Sequence, residues 1–134
     1  MLGEQIAELK DEVMSQRVLN AQGPTMETTV SASGSVKGTQ VRETLTFKAR
    51  PTSVGVLNGV GQAIIMAGES GMVSYTDEGI GRLTPPSGGI KWRGEIFYTT
   101  SSTGKLAFLN NVVGLFEAET GAEGSFSEKI SQWK

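Results

Sequence analysis

Glu43 stands in a run whose neighbouring odd-numbered positions are apolar. Val41, Leu45, Phe47 and Ala49 alternate with Arg42, Thr44, Thr46 and Lys48. Period-two alternation marks a strand with one face on the core, so Glu43 is expected inside, where a carboxylate needs a partner. Arg17, Arg82 or Arg93 could supply one and make a structural pair. Without a cation, burial raises a carboxyl's pKa and turns it into a general acid or base. Glu117 and Glu119 form a second pair, two residues apart on one side of a strand and separated by roughly 6–7 Å of rise. In a closed lumen one of them would be pushed up; the alternation with Phe116 and Ala118 equally lets both face water. Tyr75 and Tyr98, the two phenols, can donate to an oxyanion or a carbonyl. Glu43, Tyr98 and Glu117 are the candidate catalytic residues.

A ligand wall is legible beside them. In "IKWRGEIFYTT", Ile90, Trp92, Gly94, Ile96 and Tyr98 share one face, which makes either packed core or the side of an apolar cavity. Phe47, Tyr75, Trp92 and Ile96 are its expected lining, with Gln62 and Asn110 as amides that could hold a polar group.

Composition removes most other chemistry. The 134 residues include no cysteine and no histidine, which excludes thiolate redox work, a catalytic triad built on histidine and the usual zinc ligands. "TGK" at residues 103–105 lacks the earlier glycine and the following Ser or Thr of a phosphate-binding loop, because Thr99 and Leu106 stand there. Gly59-Val60-Gly61 and Gly79-Ile80-Gly81 begin like dinucleotide fingerprints but lack the third glycine and sit in strands. No cofactor or metal is expected. The net charge is −2 with no basic stripe, which argues against a nucleic-acid partner. No apolar run approaches the ~20 residues that span a bilayer, and the charged N-terminus does not read as a secretory signal. A soluble, cytoplasmic protein is the expectation.

These residues must be positioned by strands. Leu2, Ile6, Leu9 and Val13 fall at helical spacing, so residues 1–10 are expected to hold a short amphipathic helix that plugs a barrel end or meets a partner. Residues 11–134 then form one domain. "MSQRVL" reads as the first strand, and alternating segments broken at Gln22-Gly23-Pro24, Arg50-Pro51, "GESG", "PPSGG" and "GAEG" bring the total to about eight. Such a meander removes its open edges by closing, and an eight-stranded interior is filled by side chains or holds one small ligand.

At "TGKLAFLNNVVGLFEAET" the chain resembles the allene oxide cyclase-like barrels, which include the dirigent proteins. Their late "G-T-G-x-[FL]-x-x-[AL]-x-G-x-[AF]-x-A" element is matched by Thr103, Gly104, Leu106, Ala107, Gly114, Phe116 and Ala118, with a longer spacing to the glycine. "LNGVGQAIIMAGESGMVSY" and "GIKWRGEIFYTT" resemble the family's glycine-bearing hairpin and the strand before its closing turn. The resemblance implies an all-β, calycin-type, eight-stranded antiparallel barrel with an apolar lumen, often assembled as a dimer or trimer, nearest to uncharacterised prokaryotic members. It carries no catalytic residue across. The expected function is binding of a small apolar or amphipathic molecule in the lumen. A cofactor-independent cyclase or isomerase using a lumen carboxylate and tyrosine is the alternative, and a structural oligomerisation module the second.

Overall fold

In the computed structural model of the chain, residues 2–68 and 71–133 are described, with residues 11–13 known by their backbone alone. Eight strands run β1 Leu2–Asn20, β2 Thr25–Val36, β3 Thr39–Ser53, β4 Val56–Met66, β5 Met72–Thr84, β6 Gly89–Thr99, β7 Val113–Thr120 and β8 Ser125–Trp133. Each pairs antiparallel with the next, and β8 returns to β1, so the sheet closes into a barrel. The β2–β3, β4–β5 and β6–β7 connections gather at one end, called upper here, and the other four at the lower end.

Alternation decides which side chains enter. Val41, Glu43 and Leu45 of β3, Trp92, Ile96 and Tyr98 of β6, and Phe126, Glu128 and Ile130 of β8 are all buried, while their sequence neighbours are mostly exposed. The lumen is therefore the core. The β2–β3 connection is the two-residue turn Lys37–Gly38, both with positive φ, of 44° and 82°. That twist matches the flanking strands.

The expected N-terminal helix is not present: residues 2–20 are β1, and "MSQRVL" is its distal part. Ala7 pairs with both Val36 and Ile130, and Leu9 with both Gly34 and Glu128. A helix here would leave β2 and β8 as open edges, whereas a strand completes two ladders at once. An irregularity between Gln5 and Ala7 lets Ile6, Ala7 and Leu9 all be buried. A bulged strand thus reproduces apolar spacing that also fits a helical face.

The two ends differ. The β6–β7 loop carries a short 3-10 turn, Ala107–Leu109, and sinks Leu106 and Leu109 fully into the upper lumen. Each such side chain contributes about 1.5–3 kcal/mol. Lys37 secures this end, with its ammonium 2.8 Å from Glu4 and 5.0 Å from the centre of the Phe108 ring. None of the described residues 21–24, 54–55, 85–88 or 121–124 at the lower end is buried.

Candidate functional site

The lower lumen is shaped by rings set against glycines. A Cβ on Gly59 would stand 2.7 Å from the Trp92 ring, one on Gly81 2.8 Å from the same ring, and one on Gly79 2.8 Å from Phe116. The paired glycines of β4 and β5 are therefore seats for aromatic side chains from β6 and β7. Phe47 meets Trp92 edge to face at 5.4 Å. Between these rings lies a cavity of about 30 Å³, bounded chiefly by Phe47, Trp92, Phe116, Phe126, Asp77 and Glu128. That is room for two or three water-sized groups.

Above the cavity the polar groups converge. Tyr75 Oη donates to Glu43 Oε1 at 2.7 Å, and Tyr75 and Tyr98 touch edge to face at 5.4 Å. Glu43 and Glu128 are almost completely buried. Glu43 Oε2 and Glu128 Oε1 find no donor among the N–H and O–H groups of the described residues. A proton held between the two carboxyls satisfies both. Burial pushes Glu43 up to about 7, opposed by the donors Tyr75 and Glu128 and helped by the charge of Asp77. Glu128 is raised well above the usual carboxylate range by burial, then by the charges of Glu43 and Asp77, and by donating its own proton to Glu43. With two donors aimed at Glu43, the pair's negative charge rests there and Glu128 keeps the proton. Asp77 is pushed up to about 6 by burial, while the Gly61 N–H that it accepts pulls the other way. Burial and the neighbouring carboxylates also hold both phenols in the protonated form.

No cation among the described residues balances these acids. Every described lysine and arginine is exposed. Arg17 pairs with Glu27 at 3.2 Å and Arg93 approaches Glu117 to 3.8 Å, both on the outside. The arginine partner expected for Glu43 is thus a tyrosine and a second acid instead. Among the described residues no three acidic side chains are placed to hold a metal ion.

The sequence candidates divide cleanly. Glu43, Tyr75, Tyr98, Trp92 and Ile96 are buried in the lumen, with Phe47 half-buried at its lower side. Glu117 lies on the outer face together with Glu119, because Phe116 and Ala118 take the inward positions of β7. Gln62 is outside for the same reason, flanked by inward Gly61 and Ala63. Asn110 is exposed at the upper end, where its Oδ1 accepts the Thr100 N–H at 3.2 Å. Asp77 and Glu128 were missed. Their signal is the one that marks Glu43: an acid on the apolar side of an alternating run, Phe126-Glu128-Ile130 and Val73-Tyr75-Asp77.

No family model, curated protein or solved structure matches the chain. Among the described residues no helix is long and apolar enough to cross a membrane.

Proposed function

We propose that this protein binds a small amphipathic molecule through the lower lumen. The carrying observation is the ring-walled cavity with carboxyls at its edge: Asp77 and Glu128 line it together with Phe47, Trp92, Phe116 and Phe126. Apolar walls with a few converging polar groups are the usual makeup of a ligand site. The volume limits what enters to a head group, so the rest of the ligand lies lower down, along half-buried Ala49, Leu57 and Ile90. A barrel of the allene oxide cyclase-like kind, usable by one ligand at a time, fits this reading.

The test is the indole N–H resonance of Trp92, with exposed Trp133 as an internal reference. Octanol, octanoate and octylamine are titrated in turn. Saturable movement of the Trp92 signal by at least one of them, with Trp133 still, supports binding. A Trp92 signal that none of them moves, with a lasting cross-peak to bound water, overturns it.

The Glu43–Glu128 pair favours a second reading, a cofactor-independent isomerase. An acid kept protonated beside an ionisable one can polarise a ligand carbonyl while Asp77 takes a carbon-bound proton and returns it elsewhere. Glu117 has no part in this, being outside. Conversion of a small β,γ-unsaturated ketone to its conjugated isomer, followed by absorbance, tests it. A rate no faster than buffer sinks it, and a rate that falls at least a hundredfold in Glu128→Gln supports it.

A further inference from the structure

Among the described residues the lumen holds three carboxyls and no lysine or arginine. Glu43 projects from β3, Asp77 from β5 and Glu128 from β8; every described lysine and arginine is on the surface. The other groups facing Asp77 are the phenols of Tyr75 and Tyr98, the Gly61 N–H and apolar rings. One proton reconciles Glu43 with Glu128, but no cation among the described residues reconciles Asp77, whose carboxyl borders the cavity and accepts the Gly61 N–H. The cavity of about 30 Å³ therefore offers a carboxyl and aromatic faces, Trp92 among them.

We infer that the ligand's head is a protonated primary amine, the ammonium meeting Asp77 and the ring faces. This rests on the binding role proposed above and names its ligand class. Ring faces attract an ammonium, and a carboxylate neutralises it in a setting where an uncompensated charge is costly. A carboxylate head would face Asp77 with like charge. A hard metal ion asks for six or more oxygen ligands, and aromatic walls do not provide them. An ammonium and the carbon that carries it also fit a space sized for two or three small groups.

The experiment repeats the Trp92 titration with octylamine, octanol and octanoate on the whole chain at pH 7.5. Octylamine is expected to bind about tenfold or more tighter than octanol. Asp77→Asn should abolish the preference for amines while octanol binding persists. Should Asp77→Asn fail to fold, the unmodified chain serves: lowering the pH through 6 protonates Asp77, and amine affinity should fall while octanol affinity holds. Octanol binding as well as octylamine overturns the amine assignment and leaves the lumen site standing. So does an amine preference that survives both Asp77→Asn and acid pH. No movement of Trp92 by any of the three overturns both readings.

Discussion

Tyr75 reaches over β4 to Glu43, its phenol donating to Oε1 at 2.7 Å although β5 and β3 are not neighbours in the sheet. The bond ties three strands and selects which carboxyl of the Glu43–Glu128 pair carries charge. Tyr75→Phe removes that donor while keeping the ring and its edge contact with Tyr98. It should cost about 1–3 kcal/mol at pH 8, where Glu43 is charged, and distinctly less at pH 4.5. Equal losses at both pH values in denaturant unfolding would show that the bond does not serve a charge.

Stability should fall as pH rises. Glu43 goes from 4.5 to about 7 on folding and Asp77 from 3.8 to about 6, so the folded chain holds more protons than the unfolded one between about pH 4 and 7. By linkage, stability then declines through that window. For Glu43 alone the loss is on the order of 3 kcal/mol by pH 8. Thermal unfolding at pH 4.5 and 8 checks the sign, and Glu43→Gln should flatten the slope.

Glycine replacements should rank by what the new methyl meets. At Gly59 it meets the Trp92 ring at 2.7 Å, and that ring borders a cavity into which it can move. Gly59→Ala is expected to cost about 1 kcal/mol and to block the ligand site. At Gly34 and Gly94 the methyl falls on the backbone carbonyls of Glu8 and Glu78. Those cannot yield without parting strands, so Gly34→Ala and Gly94→Ala should cost about 3 kcal/mol or more. The reverse order in urea unfolding would contradict the seating of Trp92.

Glu117→Gln breaks an exposed 3.8 Å approach to Arg93. Its effect on stability and on Trp92 titrations should stay within about 0.5 kcal/mol. A large loss of ligand binding would return Glu117 to the site.

Removing residues 2–10 strips out the half of β1 that bonds both β2 and β8. The shortened chain should lose its cooperative transition and aggregate through the exposed edges. A monomer that unfolds normally would mean this segment is an appendage.

Most of the lumen was legible because closure leaves each strand one dry face. Val41 through Ala49, with Glu43 as the exception, and Ile90 through Tyr98 alternate, and the side of the sheet follows. β1 was illegible because a bulged strand and a helix satisfy the same apolar spacing at Ile6 and Leu9, and only pairing with β2 and β8, remote in sequence, decides between them. The acid cluster was half legible. Glu43 broke an apolar pattern, but its partner was sought among arginines, since opposite charge is the ordinary way to bury a carboxylate. A shared proton leaves no complementary residue to look for. Gln62 is named for the lining on its amide, although the parity of Gly61 and Ala63 puts it outside; for Glu117 the alternation with Phe116 and Ala118 already allows the outward position that the structure shows.

Leu106 and Leu109 fill the upper lumen, so in the binding role proposed above a guest enters and leaves at the lower end, along Ala49, Leu57 and Ile90. A longer tail trailing from the lower rim therefore changes how quickly a guest departs, while the carboxyls and Trp92 read the same leading atoms whatever the tail's length.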